Sequence, residues 1–187
     1  MIKQFMHSLP GRILSFLVIL LLTALVVVGV RGAFADDSAR TVRIVGWAEE
    51  LTMTGIDRPL DAKLDTGATT ASINAEILAT PDDDVEAGGI VKFNFVDANG
   101  NKTLFERPLT RWVTIKGDGR RPVVNMSFCL DGVPMKGEVT LAERDEFDYA
   151  ILVGRNLLEM GRFAVDSAET YATGDASTQA CTEENNA

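Results

Sequence analysis

Two short turn sequences constrain the fold of this chain more than any other feature. Asn99-Gly100 and Asp131-Gly132 each separate two segments in which apolar and polar residues alternate. Asn-Gly and Asp-Gly suit the two-residue turns of β-hairpins, because both turn residues there adopt positive φ angles. The sequence therefore predicts two β-hairpins. Their strands would be residues 90–96 with 103–109, and residues 123–130 with 133–141.

Short β-prone segments separated by turn sequences continue along the rest of the chain, a pattern typical of all-β barrels and sandwiches. Residues 149–154 form an apolar run typical of a strand buried on both faces, and residues 163–165 predict a last strand. Helical structure is predicted in two places, a single turn over residues 74–78 and a short helix over residues 155–160. No internal repeat or linker interrupts this pattern. We expect one all-β domain with one short helix near its C-terminal end.

The composition excludes several classes of enzyme. Of the 187 residues, 46% are hydrophobic and 24% are charged, which is enough apolar material for a folded core. The chain has one histidine, His7, and two cysteines. Histidine-dependent catalytic triads, histidine-ligated zinc sites and four-thiolate zinc sites therefore cannot be assembled from the residues beyond His7.

The first 35 residues have the pattern of a targeting segment. Residues 1–12 carry cations and no acid, residues 13–30 are uncharged, and Ala33-Phe34-Ala35 follows. This order is typical of a secretory signal peptide. An uncleaved membrane anchor is the alternative, because an 18-residue helix spans about 27 Å. In both cases we expect a periplasmic remainder, with a β domain over residues 36–172 and a polar tail over residues 173–187, and contact with the membrane only if the segment is retained.

The exported part would be strongly acidic. Without residues 1–35 the chain keeps 15 Lys and Arg against 27 Asp and Glu, a net charge of −12. Such a surface repels phosphates, so nucleic acid is not an expected partner. In an oxidising compartment Cys129 and Cys181 can form a disulfide that fastens the tail, and two unpaired thiols are the alternative.

The segment with the clearest chemical content is Asp65-Thr66-Gly67-Ala68. It follows a short apolar segment and precedes the β-branched residues 69–73. By itself it predicts no more than an Asx-type turn. About 85 residues later, however, the chain contains Ile151-Leu152-Val153-Gly154, an apolar run that ends in glycine.

These segments resemble the retropepsin-like aspartic proteases, and in particular a bacterial family that has been labelled ATP-dependent zinc proteases. The resemblance covers roughly residues 42–171. The segments that carry it are, in order, Gly46-Trp47-x-Glu49, Asp65-Thr66-Gly67-Ala68, Arg121-Pro122-Val123-Val124, Ile151-Leu152-Val153-Gly154-Arg155-Asn156-Leu157-Leu158 and Phe163-Ala164-Val165-Asp166.

The resemblance implies a closed retropepsin-like (acid protease) barrel in which Asp65 is catalytic. Thr66, Gly67 and Ala68 would support the active loop. The residues expected to pack around this loop are Ile151, Leu152, Val153, Gly154 and Arg155, of which Arg155 would either pair with a carboxylate near the loop or simply begin a helix.

One Asp-Thr-Gly per chain implies a two-fold symmetric homodimer, because the chemistry needs two carboxylates. Two carboxylates that share a proton can act as general base toward a water and as general acid toward the leaving amine. We therefore expect an exported aspartic endopeptidase that acts on peptide or protein substrates. We expect no cofactor and no metal, since the chain has no GxxxxGK[ST] phosphate loop and lacks His and Cys partners for zinc.

Two other functions stay open at this point. A non-catalytic periplasmic peptide-binding or adaptor module could use the same fold. Hydrolysis of glutamyl-type peptide bonds is a third hypothesis, and it comes only from the association of the resembled family with amino-acid ligases. The hairpin over residues 90–109 is the candidate for a flap over the active site, although the hairpin over residues 123–141 has the same pattern.

Overall fold

In a computed structural model of the protein, residues 41–82, 84–115, 119–178 and 181 are described, so the predicted targeting segment lies outside the described residues. Their helices are α1 (Arg155–Gly161) and a short 3₁₀ helix, Ala176–Thr178. No helix in this part of the chain is long and apolar enough to cross a membrane. The strands are β1 (Arg43–Gly46), β2 (Ala48–Met53), β3 (Leu60–Leu64), β4 (Ala71–Ala79), β5 (Ile90–Val96), β6 (Lys102–Ile115), β7 (Gly119–Leu130), β8 (Val133–Ala142), β9 (Ile151–Val153) and β10 (Phe163–Asp166).

Within the described residues, six strands close into a ring. Around it β2 pairs with β3, β3 with β9, β9 with β4, β4 with β8, β8 with β7, and β7 with β2. Strands β5 and β6 connect β4 to β7 by antiparallel pairing, and β1 and β10 form a separate parallel pair. The prediction of an all-β fold with one short helix near the C-terminal end is confirmed.

The hydrophobic core follows the alternation of the strands. In β3, for example, Leu60, Ala62 and Leu64 are buried whereas Asp61 and Lys63 are exposed. The buried side chains of the strands form one cluster with two leucines of α1. Each buried aliphatic or aromatic side chain stabilises the fold by about 1.5–3 kcal/mol. The cluster therefore holds the strands in place, and the positions of the loops follow from where the strands end.

Both predicted hairpins are confirmed. β5 pairs with β6 across Asn99-Gly100, and β7 pairs with β8 across Asp131-Gly132. Asp131 and Gly132 have φ angles of 50° and 70°, the positive values that this turn requires. β6 is longer than predicted and continues past an irregularity between Leu109 and Arg111 to pair again with β7.

The helical turn predicted over residues 74–78 is wrong, because these residues belong to β4. The first half of β4 pairs with β8 on one side and β9 on the other, and its second half pairs with β5. Alanine, glutamate and leucine favour a helix in isolation, but sheet partners on both sides satisfy the main chain here. The predicted helix over residues 155–160 is confirmed as α1.

The chain after β10 returns to β2 and is bound there by Glu49, a carboxylate that is fully buried. Glu49 accepts hydrogen bonds from the amide of Ala172 (3.0 Å) and from the hydroxyl of Thr173 (2.8 Å). Farther along, a disulfide joins Cys181 to Cys129 of β7, with 5.9 Å between their Cα atoms. Both ends of this segment are thus attached to the ring of strands.

Candidate active site

Asp65 lies at the carboxyl end of β3, next to the carboxyl end of β9. The two strands are parallel, with Leu64 opposite Val153. The amide of Asp65 donates a 2.9 Å hydrogen bond to the carbonyl of Val153. Parallel pairing therefore brings together the two sequence motifs, Asp-Thr-Gly-Ala and Ile-Leu-Val-Gly, that are far apart along the chain.

The loop after Asp65 is folded around its carboxylate. Oδ1 of Asp65 accepts hydrogen bonds from the amides of Gly67 (2.8 Å) and Ala68 (3.2 Å). A Cβ atom on Gly67 would lie 3.1 Å from this oxygen, so glycine allows the close approach. Asp65 is half-buried and Thr66 is exposed, so the carboxylate is oriented by the loop while the loop itself stays at the surface.

The start of α1 is built against this loop. The amide of Arg155 donates to the carbonyl of Ala68 at 2.9 Å. Gly154 packs so closely that a Cβ atom on it would lie 2.6 Å from the carbonyl carbon of Thr70. No larger residue fits at this position without displacing main chain. Ile151, Leu152, Val153 and Gly154, predicted to surround the loop, are all on β9 or at its end.

The side chain of Arg155 holds the loop from the other direction. Its guanidinium donates to the carbonyls of Thr66 (2.9 Å) and Gly67 (3.1 Å) and to Oγ1 of Thr69 (3.0 Å). From the sequence, we expected Arg155 either to pair with a carboxylate near the loop or simply to begin a helix. Arg155 does begin α1, and its guanidinium contacts carbonyl and hydroxyl oxygens, so it also fixes the shape of the loop.

Asn156 makes a second contribution that the sequence did not reveal. Its Oδ1 accepts from the amide of Ala71 at 2.9 Å, and its Nδ2 donates to the carbonyl of Glu138 at 2.8 Å. The side chain therefore joins α1 to both β4 and β8. The sequence could have indicated this role, because Asn156 directly follows Gly154 and Arg155, two residues that hold the active loop.

Arg144 brings a positive charge to the site. It lies in the loop between β8 and β9 but is only 8% exposed. Burial lowers the pKa of Arg144, the neighbouring cation of Arg121 lowers it further, and the carboxylate of Asp65 raises it. Asp65 and Arg121 are thus each close enough to Arg144 for their charges to act on it.

The position of Arg144 is set by tertiary contacts. Its amide donates to Oδ1 of buried Asn74 at 2.7 Å, and its Nε donates to the carbonyl of Tyr149 at 3.3 Å. The guanidinium carbon lies 4.6 Å from the centre of the Phe147 ring. From the sequence, residues 143–146 were interpreted as a charged connection, and nothing in that charge run distinguishes the one residue that becomes buried.

The turn of the hairpin over residues 90–109 is bound far from Asp65. Asp97, at the end of β5, forms an ion pair with Arg58 and accepts from the amides of Asn99 (2.9 Å) and Asn101 (2.8 Å). Arg58 precedes β3, at the end of that strand opposite Asp65. This position does not fit a flap over the active loop.

The turn of the other hairpin considered as a flap is bound through Asp131, which accepts a 2.8 Å hydrogen bond from Nη1 of Arg43. Arg121, near the start of β7, is a residue of this hairpin whose charge acts on Arg144. Among the described ranges, no three His, Cys, Asp or Glu side chains are grouped so that they could hold a metal ion.

Beside the active loop lies a largely apolar depression. Thr66 is on its wall, together with Val42, Leu158 and Phe163. Val42 is 54% exposed, and Ile44, two residues farther along the same segment, is 71% exposed. An exposed apolar patch of this kind is typical of a surface that another molecule covers.

Comparison with known proteins agrees with this geometry. A family profile described as RimB-like, retropepsin-like aspartic endopeptidase RimB, matches residues 44–175. A solved structure of Lpg0085, a Legionella pneumophila protein of unknown function, is similar with a TM-score of 0.60 and 32% sequence identity, over 71% of this chain and 99% of that chain. No curated protein matches the chain. The resemblance to the retropepsin-like aspartic proteases is confirmed: the chain belongs to the RimB-like family of retropepsin-like aspartic endopeptidases.

Proposed function

We propose that this protein is an exported aspartic endopeptidase that works as a homodimer, with Asp65 of each copy supplying one of two catalytic carboxylates. Membership of an aspartic endopeptidase family supports the reaction class. The observation that carries the proposal is the way the Asp65 loop is held, by its own amides from within and by Arg155 from outside. A carboxylate that is oriented before the substrate binds is suited to catalysis by positioning.

The proposed mechanism needs the two carboxylates to be in different protonation states. Two carboxylates held about 3 Å apart cannot both ionise, so the pair shares a proton. The ionised Asp65 removes a proton from a water molecule, which attacks the peptide carbonyl carbon. The protonated Asp65 of the partner copy donates its proton to the carbonyl oxygen. The C–N bond then breaks as the first Asp65 passes the proton taken from water to the leaving nitrogen, and the oxygen returns its proton to the partner's Asp65 as the carbonyl re-forms. The rate of cleavage should then rise to a maximum and fall again as the pH increases. The apparent pKa values on the two sides of this maximum describe the pair of carboxylates and not either one alone.

The apolar depression beside Thr66 supports the homodimer. A second copy that used the same surface would place its own Asp65 loop opposite the first, as a two-fold axis requires. Burying Val42 and Phe163 would add about 25 cal/mol for each Å² of apolar surface removed from water. The depression adjoins the catalytic loop, so dimer formation and assembly of the carboxylate pair would be the same event.

The substrate class is supported by the charges around the loop. Arg144 is buried and carries a cation on which the charge of Asp65 acts, so a substrate carboxylate bound here would gain a favourable interaction with Arg144. Glu143 and Glu146 are exposed to solvent, whereas Arg144 is buried. We therefore propose that the substrate is a peptide with an acidic side chain near the cleaved bond. This substrate class is consistent with the hypothesis, drawn from the resembled family, that the protein hydrolyses glutamyl-type peptide bonds.

Export is supported by the pattern of residues 1–35 and by the Cys129–Cys181 disulfide, which suits an oxidising compartment. Cleavage of the segment predicts a mature protein that begins at Asp36, and intact-mass spectrometry of the periplasmic fraction would measure this. A retained segment would instead leave the domain anchored to the membrane. The alternative function, a peptide-binding or adaptor module, requires a chain that binds peptides as a monomer and does not cleave them.

Replacement of Asp65 by Asn tests the proposed function. Asp65→Asn keeps the size of the side chain and its acceptor oxygen but cannot take up or release a proton, so cleavage of a mixture of synthetic acidic peptides should disappear. Asp57→Asn is the matched control, because Asp57 is an exposed residue in the turn between β2 and β3. Cleavage by Asp65→Asn at the wild-type rate would contradict the proposal. Peptide binding without cleavage by the wild type would establish the adaptor alternative.

A further inference from the structure

Lys63 is an exposed lysine on the same strand as Asp65, two residues before it. Buried and exposed side chains alternate along β3, and Lys63 is exposed whereas Leu64 is buried. The amide of Asp65 continues the pairing with β9 through its hydrogen bond to the carbonyl of Val153. Residues two apart in a strand have their side chains on the same face and their Cα atoms about 7 Å apart. Lys63 is therefore next to the active loop, on the face of β3 that carries Asp65.

The neighbouring strands place no carboxylate opposite Lys63. Its partner in β2 is Ala48, and its partner in β9 is Leu152. Opposite charges that lie directly across two strands attract each other, because paired residues have their side chains on the same face. Lys92 shows this arrangement elsewhere in the fold, since it is opposite Glu106 of β6 and forms a 3.0 Å ion pair with it. The pairing of β3 provides no such partner for Lys63.

The ammonium group of Lys63 is free to bind an anion from outside the chain. Within residues 41–82, 84–115 and 119–178 no carboxylate forms an ion pair with it, whereas six other cations there do form ion pairs: Arg43, Arg58, Lys92, Lys102, Arg111 and Arg120. Asp61, the other exposed charge of β3, is hydrogen-bonded to Tyr171. The flexible four-carbon stem of a lysine lets its charge move toward a ligand. Lys63 is thus a mobile positive charge beside the active loop.

The proposed homodimer would place one Lys63 on each side of the cleaved bond. A two-fold axis that relates the two Asp65 loops also relates the two lysines. An extended peptide advances about 3.3 Å per residue, so a group one or two residues from the cleaved bond is about as far from the aspartates as Lys63 is. A substrate that reacts at Asp65 therefore has neighbouring groups within reach of this lysine.

We propose that Lys63 is a specificity-determining residue whose ammonium group binds a carboxylate of the peptide substrate, one or two residues from the cleaved bond. The inference rests on the proposed peptidase function, and it adds a residue at the surface, where a substrate can reach it, whereas Arg144 is buried. The carboxylate belongs to an acidic side chain or to the C-terminus of the peptide, because the three donors of an ammonium group suit either. An uncharged amide in its place would bind more weakly, and the enzyme would discriminate against it.

The experiment compares the full-length wild type with Lys63→Met, which removes the charge and keeps an unbranched side chain. Lys102→Met is the matched control, because Lys102 is an exposed lysine at the start of β6, beside the turn that Arg58 binds far from Asp65. The probe is a set of synthetic peptides with Glu or Gln at single positions, each with a free or an amidated C-terminus. Mass spectrometry gives kcat/KM for each peptide. The readout is the ratio of kcat/KM for a carboxylate peptide to that for its amide counterpart.

Lys63→Met should lower this ratio about 5- to 20-fold, the effect of one hydrogen bond between charged groups at a partly exposed site. Lys102→Met should leave the ratio unchanged. A lower ratio for the Glu and Gln peptides alone assigns the contact to a side-chain carboxylate. A lower ratio for the free and amidated C-termini alone assigns it to the terminal carboxylate.

An unchanged ratio in active Lys63→Met would overturn the role of Lys63 and leave the peptidase intact. An equal loss of kcat/KM for all peptides would overturn it too, because a lysine that acts only on Asp65 or on the fold does not distinguish a carboxylate from an amide. A wild type that cleaves none of the peptides would overturn the proposed function, and the role of Lys63 with it.

Discussion

The guanidinium of Arg155 donates a 2.9 Å hydrogen bond to the main-chain carbonyl of Thr66, which is 89 positions earlier in the chain. The same side chain also reaches the carbonyl of Gly67 and the hydroxyl of Thr69. A guanidinium presents its donors in a rigid plane, so one side chain can fix three groups of a loop at once. The shape of the loop that carries Asp65 thus depends on a residue of α1.

Arg155→Lys should impair catalysis much more than folding. Lysine keeps the charge but cannot reach the three oxygens in one plane, so kcat should fall about 10- to 100-fold. The free energy of unfolding should fall by only about 1 kcal/mol, because α1 stays packed through its buried leucines. Peptidase kinetics and urea unfolding measure the two effects. Arg107→Lys is the control, since Arg107 donates to the carbonyl of the adjacent Glu106. A wild-type kcat for Arg155→Lys would show that the loop keeps its shape without this arginine.

Asn156→Ala should destabilise the fold. The substitution removes the bond to the Ala71 amide and the bond to the Glu138 carbonyl, at the point where α1 meets β4 and β8. We expect the free energy of unfolding to fall by about 2–3 kcal/mol, measured by urea denaturation. The exposed residue Asn125 provides a comparison, and Asn125→Ala should change stability by less than about 0.5 kcal/mol. Equal effects of the two variants would contradict the bridging role of Asn156.

The buried carboxylate of Asp97 should make stability depend on acid pH. Burial raises the pKa of Asp97, but hydrogen bonds from Asn101 and Asn99 and the charge of Arg58 together lower it below its ordinary value. Because the folded pKa lies below the unfolded value of about 3.9, ionised Asp97 stabilises the fold above about pH 4, and this contribution is lost as the pH falls through the folded pKa.

The comparison of wild type with Asp97→Asn measures this contribution. At pH 7 the variant should have the lower urea midpoint, and the gap should narrow as the pH is lowered from about 5 to 2. Asp131→Asn serves as control, because the ion pair of Asp131 with Arg43 is more exposed and should contribute less. A gap between wild type and Asp97→Asn that is the same at pH 7 and pH 3 would rule out the proposed linkage.

Reduction of the disulfide should lower stability and free the C-terminal segment. Cys129 and Cys181 are 52 residues apart, and closing a loop of that length contributes about 4 kcal/mol in the chain-entropy model. We expect a clearly lower Tm in the presence of a reductant. A double variant, Cys129→Ser with Cys181→Ser, should be insensitive to reductant. If thiol reagents label both cysteines of the unreduced wild type, the bridge is absent in solution.

The sequence predicted best those features that short segments determine. The turn at Asp131-Gly132 follows from the positive φ angles that this dipeptide tolerates. The pairing of the Asp65 loop with β9 followed from the family resemblance, and a parallel strand pair accounts for it. The start of α1 was also predicted, because Gly154 marks where the apolar run stops.

Features that depend on tertiary partners were missed. Residues 74–78 have helical propensity, and only their partners in β5, β8 and β9 make them a strand. Arg144 looked like one charge in a solvated run, and its burial depends on Asn74, 70 residues earlier. The burial of Ser72 is likewise a property of the packed sheet, since any serine in a strand looks the same in sequence.

The central claim is that two copies of Asp65 form one catalytic site, and mixing of subunits tests it most directly. Wild-type and Asp65→Asn chains are mixed in equal amounts, allowed to exchange subunits, and assayed for peptide cleavage, with sedimentation velocity to verify that dimers form. Random pairing leaves about one quarter of the dimers with two aspartates, so activity should fall to about one quarter of that of the same total amount of wild type. An activity of about one half, the value for subunits that each act alone, would contradict the shared site.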